Sequence, residues 1–94
     1  MRIKWLRAAL RNLDAEAEYI ARDNPAAAVR VIQKIRATVN LLAEQPALGR
    51  PGRVPNTREL VISGTPYLVP YRVRGQVIEV LRVLHAARQW PTMF

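Results

Sequence analysis

A chain of 94 residues, half of them hydrophobic, supports one modest core, so residues 1–94 read as a single domain and not as a disordered chain. With no cysteine, one histidine and no apolar run near the length of a membrane span, disulfide staples, thiolate metal centres and transmembrane anchorage are excluded. The net charge of +8 directs attention to an acidic partner: nucleic acid, an acidic protein or an anionic surface.

Thirteen of the fifteen basic residues are arginine, whose planar fork holds carboxylates and phosphates in a way that lysine does not. Residues 1–45 carry eight basic and five acidic side chains, while residues 46–94 carry seven basic and only two acidic, Glu59 and Glu79. The second half is therefore the more purely positive surface. Lys4, Arg7 and Arg11 interrupt every candidate for a secretory leader, so a soluble, cytoplasmic protein is expected.

The alternation of Arg2-Ile3-Lys4-Trp5-Leu6 predicts a short strand with Ile3 and Trp5 on one face. Leu6, Leu10, Leu13, Ala17 and Ile20 then form one apolar stripe of helical period, with Asp14, Glu16, Glu18 and Arg22 off it. No capping residue marks where this helix starts. Asn24-Pro25 is an N-cap followed by proline at the first helical position, and a second stripe runs Ala28, Ile32, Ile35, Val39, Leu42. Two such stripes joined by about two residues predict an antiparallel helical hairpin that needs another layer to cover it.

Pro46 ends the helical pattern, and residues 46–57, with three prolines, two glycines, Arg50 and Arg53, read as a long loop. Three strands follow. The first covers Arg58–Ile62 and is closed by a turn at Ser63-Gly64-Thr65-Pro66. The second covers Tyr67–Val73, with Tyr67, Val69, Tyr71 and Val73 on one face and Leu68, Pro70, Arg72 and Arg74 on the other. Pro70 lacks a ladder donor, so this strand is irregular there or lies at an edge. Arg74-Gly75-Gln76 holds a tight hairpin, and the nearly continuous apolar run Val77–Leu84 predicts a central strand. The expected fold is α+β, in the order β-α-α-β-β-β, with the hairpin on one face of a small antiparallel sheet and the other face left for partners.

No metal constellation, phosphate loop or serine triad is present, and no cofactor is expected. His85, with Arg88 three residues on, admits two readings: a general base beside a phosphate clamp, or a polar side chain that ties down a strand end. Arg72, Arg74 and Arg82 are either a convergent patch for phosphate or carboxylate, or a solvated sheet face stacked over Leu68 and Pro70. Trp90 and Phe94 read as packing residues or as a partner's apolar contact.

Taken together, Leu48-Gly49-Arg50-Pro51-Gly52-Arg53, Thr57-Arg58-Glu59-Leu60-Val61-Ile62, Tyr67-Leu68-Val69-Pro70-Tyr71-Arg72-Val73 and Ile78-Glu79-Val80-Leu81-Arg82-Val83-Leu84-His85-Ala86-Ala87-Arg88-Gln89-Trp90 resemble the RelE/ParE superfamily of type II toxins over nearly the whole chain. The resemblance implies a toxin with a cognate acidic antitoxin that folds as it wraps its partner in a hetero-oligomeric complex. RelE-like members cleave mRNA in the ribosomal A site; ParE-like members inhibit DNA gyrase. Where the RelE pattern has lysines on the first strand of the C-terminal sheet, this chain has Glu59 and Val61. Where it has an arginine after the aromatic opening the next strand, here Tyr67, this chain has Leu68. Where it has a tyrosine in the tail, this chain has Phe94. Arg88 alone fits. Loss of cations and a hydroxyl removes the charge stabilisation that phosphoryl transfer needs. The resemblance therefore favours the ParE-like branch, which binds and does not cut. Arg50, Arg53, Arg58, Arg72, Arg74, Arg82, Arg88 and Trp90 are the candidate contacts to target or antitoxin. His85, Arg82 and Arg88 are the site to consider if the chain is a ribosome-dependent ribonuclease. A basic module that only binds nucleic acid is a third possibility.

Overall fold

The computed structural model describes residues 1–87, 90, 91 and 94. Strand β1 (Arg2–Trp5) leads into helix α1 (Arg7–Asp23), and Asn24 separates it from α2 (Pro25–Asn40). The Asn24 side chain accepts a hydrogen bond from the Ala27 N–H, as expected of an N-cap followed by proline. A 3₁₀ turn, Leu41–Ala43, closes the helical segment ahead of Pro46. The chain then forms β2 (Arg50–Pro51), β3 (Arg58–Val61), β4 (Tyr67–Arg74), β5 (Val77–Val80) and β6 (Leu84–His85). The strand order is β1-β5-β4-β3-β2, with β6 pairing the start of β4.

The α+β layout of a helical hairpin on one face of a sheet is present, but the sheet is mixed and not wholly antiparallel. β1 runs parallel to β5, with Arg2 opposite Val77 and Lys4 opposite Glu79. One edge of β5 is taken by β4, and β1 fills the other. The helices and strands between them are ample connection for a parallel pair, which a tight turn cannot make. Alternation in the sequence shows which face a side chain takes, but it carries no information on strand direction.

Two elements depart from expectation. The 46–57 loop contains β2, an edge strand that places Arg50 opposite Glu59. The expected strand Val77–Leu84 is interrupted. Tyr71 lies opposite Val80 and Leu68 opposite Leu84, so three steps along β4 are matched by four along the facing segment. This is a one-residue bulge. It sits where Pro70 has no N–H to give and only accepts a bond, from the Leu81 N–H at 2.9 Å. The β4–β5 turn is Gly75-Gln76, and the φ of +60° at Gly75 alone supplies the left-handed residue of a two-residue hairpin loop.

The core lies between the hairpin and the inner face of the sheet: Ala9 and Leu13 from α1, Ile35 and Val39 from α2, Leu42, and Leu60, Ile62, Val69, Tyr71, Ile78, Val80 and Val83 from the sheet region. Burying each of the larger aliphatic side chains is worth about 1.5–3 kcal/mol. The α2 stripe matches expectation closely. The α1 stripe is rotated: Ala9, Leu13 and Glu16 are buried, while Leu10 is 40% exposed. Glu16 faces inward because the Tyr67 hydroxyl donates to its carboxylate at 2.9 Å, and a buried polar group is tolerated when it is hydrogen-bonded. None of the described helices is long and apolar enough to cross a membrane.

Candidate functional site

The outer face of the sheet, away from the helices, is organised around two carboxylates. Glu59 projects from β3 and is 3% exposed. Its Oε2 accepts from the Arg53 backbone N–H at 2.8 Å and from Arg53 Nε at 3.1 Å, and its Oε1 accepts from Arg50 Nη2 at 3.2 Å. Burial pushes the Glu59 carboxyl up, but the bonds from Arg53 and Arg50 outweigh it and hold the group below the usual carboxylate value. The Arg53 guanidinium also lies over the Trp90 ring, 3.6 Å from its centroid. One carboxylate thus fixes the 50–53 segment and, through Arg53, the tail at Trp90.

Arg58 is directed to the same loop. Its Nη1 donates to the Gly49 carbonyl at 2.7 Å. The buried Tyr71 hydroxyl completes the latch, accepting from the Gly49 N–H and donating to the Pro46 carbonyl, both at 2.8 Å. Gly49 is required by close approach: a Cβ there would lie 2.6 Å from Tyr71 Cε1. Arg50 and Arg53 are therefore brought together on Glu59, while Arg58, in the row of Tyr71, holds the same loop by its carbonyls.

The second carboxylate, Glu79, sits on β5 between Arg72 and Lys4 in the sheet register. Arg72 Nε donates to its Oε1 at 2.6 Å, and Arg74 Nε lies 3.6 Å from the same oxygen. The Arg72 hydrogen bond comes first in holding Glu79 below the usual carboxylate value, with Arg72, Arg74 and Lys4 adding through charge. The neighbouring row is Arg2–Val77–Arg74. Arg72 and Arg74 also line a cavity of about 360 Å³ with Val54, Pro55, Leu81 and Phe94. The outer face is thus partly roofed by the 54–57 turn and the tail, and is not wholly open as the sequence implied. Pro70 and Leu81 on this face are buried.

Sequence reasoning missed Arg2 and Lys4. Their alternation with Ile3 and Trp5 was visible, but only the parallel β1–β5 pairing carries them to Glu79 and Arg74. Arg82 does not join this set. It lies half-buried in the bulge and outside the cavity that Arg72 and Arg74 line. His85 stands edge-on to Tyr67, ring centroids 5.6 Å apart, and its Nδ1 accepts the Ala87 N–H at 3.1 Å. That nitrogen is occupied as an acceptor and ties down the strand end. Arg88 lies outside the described residues.

The opposite layer has a different chemistry. Ala17 and Ala21 of α1 with Pro25, Ala28, Val29 and Ile32 of α2 line an apolar groove of about 600 Å³, with Glu18, Gln33 and Arg36 at its rim. Val29 is 56% exposed within it. An apolar floor with a polar rim is the form that receives an amphipathic helix.

Residues 3–90 match the model of the ParE toxin family of type II toxin–antitoxin systems, parDE. The chain belongs to the ParE toxin family. It is 52% identical over 90 residues to Y4kP of Sinorhizobium fredii, covering 96% of this chain and 93% of that one. It is 35% identical over 86 residues to Toxin RelE2 of Caulobacter vibrioides, covering 92% and 96%. A solved structure of the chromosomal ParDE TA system from P. aeruginosa superposes with a TM-score of 0.81 at 34% identity, over 90% of this chain and 95% of that one. In this ParE-family toxin, the β3 position at which the RelE pattern carries a lysine holds Glu59. The substitution does more than remove a cation, because the carboxylate draws Arg50 and Arg53 into internal bonds.

Proposed function

We propose that this ParE-family toxin arrests growth by binding DNA gyrase, without chemistry of its own, and that a cognate acidic antitoxin neutralises it in a hetero-oligomeric complex in the cytoplasm. The observation that carries the reading is Glu59. Ribonuclease action needs cations free to stabilise charge that develops on phosphate. Here the strand that would supply them presents a buried carboxylate that engages two arginines. His85 supports the same reading, since its ring is held by Tyr67 and Ala87. The antitoxin is assigned to the hairpin groove, whose apolar floor suits one face of an amphipathic helix, with Arg36 at the rim to meet an acidic residue.

One relative bears the name Toxin RelE2 at 35% identity, which favours keeping a second reading: a ribosome-dependent endoribonuclease with a rearranged site at His85, Arg82 and Arg88. Translation on purified ribosomes separates the two. Codon-positioned mRNA cuts that vanish in His85→Ala or Arg88→Ala would establish the second reading. Intact mRNA together with blocked gyrase supercoiling would establish the first.

A further inference from the structure

We infer that the exposed rows of the outer sheet face form a contact surface for the phosphate backbone of double-stranded DNA. The surface consists of Arg2, Lys4, Arg72 and Arg74 around the single carboxylate Glu79, with Val77 between Arg2 and Arg74. Four cations against one carboxylate leave a local excess of three positive charges. Arg2 and Lys4 are exposed, and the Arg74 side chain is 67% exposed. Arg72 is the pinned member: its Nε bond to Glu79 fixes its guanidinium against the sheet.

The dimensions select the partner. Arg2 and Arg74 sit on strands separated by β5, about 10 Å apart, and each row lies about 7 Å from the next along the strands. A DNA duplex carries one charge per roughly 1.7 Å of axis, so a patch of this width faces several phosphates at once. An extended acidic peptide presents one carboxylate per roughly 7 Å on a given face, so it meets each row of two cations with a single carboxylate. Peptide recognition also needs side-chain pockets along the whole surface; the cavity beside Arg72 and Arg74 is lined by no residue of β1 or β5, where the rows offer only Val77 as an apolar contact. Single-stranded nucleic acid is held by aromatic platforms, and neither row carries an aromatic side chain. Rows of cations without stacking groups of their own suit the backbone of a duplex. The surface is built from strands alone and the hairpin groove from helices alone, so one need not occlude the other.

The test is binding of the purified chain to a fluorescein-labelled 20-base-pair DNA duplex, by anisotropy across a salt series. The wild type is expected to bind with a steep salt dependence. Replacing Arg2, Lys4 and Arg74 together with alanine is expected to lower affinity roughly tenfold or more and to flatten the log–log salt slope by about 2.7. All three are surface positions, and circular dichroism checks that the variant is folded. A control that removes the same charge from the helices, Arg11, Arg22 and Arg30 to alanine, is expected to change affinity less than threefold. Glu79→Gln is expected to raise affinity several-fold by removing the one anion in the rows. The inference is overturned if the wild type fails to bind at low salt, or if the helical control loses as much as the sheet variant. It is also overturned if Glu79→Gln binds no more tightly, or if single-stranded DNA or polyglutamate binds as tightly as the duplex. None of these outcomes depends on gyrase, so the toxin reading stands or falls separately.

Discussion

Replacing Glu59 with alanine tests the hub of the outer face. The change removes a carboxylate that is 3% exposed and accepts from one backbone N–H and two guanidiniums. Removing one partner of a fully buried ion pair costs 3–5 kcal/mol. That figure is too large here, because the Arg50 and Arg53 side chains are 54% and 49% exposed and re-solvate when released. Exposed pairs contribute about 0–1 kcal/mol each. The part that does not recover is the Arg53 backbone bond and the packing of the buried stem, worth about 1–2 kcal/mol. The expected loss is about 2 kcal/mol, a fall in Tm of roughly 10 °C for a chain of this size. Urea denaturation followed by tryptophan fluorescence measures it and also reports release of Trp90 from Arg53. The sign with pH follows from the lowered folded-state value. The Glu59 contribution is fully present above the unfolded carboxylate range, near pH 4.5, and fades as pH falls through the lower folded value. The stability gap between wild type and Glu59→Gln is therefore largest at neutral pH and closes in acid. A Glu59→Ala loss below about 0.5 kcal/mol, or a gap that widens in acid, refutes the hub assignment.

Four further outcomes follow from the same geometry. Tyr71→Phe leaves the Gly49 N–H and the Pro46 carbonyl without their partner and costs about 2–3 kcal/mol by chemical denaturation. Gly49→Ala drives a methyl against the Tyr71 ring and Glu59 backbone, and costs about 1–3 kcal/mol in the same assay. Asn24→Ala removes the α2 cap and costs about 1 kcal/mol, seen as a lower Tm. Val29→Asp places a charge on the floor of the hairpin groove. It is expected to weaken antitoxin binding by at least roughly 1–2 kcal/mol in calorimetry while leaving growth inhibition intact.

Much of the fold was legible where a local signal has a local cause. Asn24-Pro25 marked the start of α2, the α2 stripe gave its buried face, and Gly75 gave the hairpin. The alternation along Tyr67–Arg74 separated the inner and outer faces correctly. What escaped depends on contacts between distant segments. Glu16 reads as a surface residue until Tyr67, fifty-one positions away, supplies its partner. That inward carboxylate accompanies the rotated α1 stripe. The bulge after Val80 was foreshadowed by Pro70, but it acts on a different strand from the one that carries the proline. The parallel β1–β5 pairing was invisible, and with it the union of Arg2 and Lys4 with Arg72 and Arg74. At the candidate site, sequence singled out Arg50, Arg53 and Arg58 but not their engagement inside the fold. Glu59 stood out first as a missing lysine, whereas its position makes it the anchor of the loop.

The proposed function has this ParE-family toxin bind gyrase and not cut RNA. Supercoiling of relaxed plasmid by purified gyrase, titrated with the toxin and then with its antitoxin, tests it most directly. Supercoiling is expected to stop as toxin is added and to return as antitoxin is added, with Val29→Asp toxin resisting the rescue. Undiminished supercoiling at saturating toxin, with growth still arrested in cells, would contradict it.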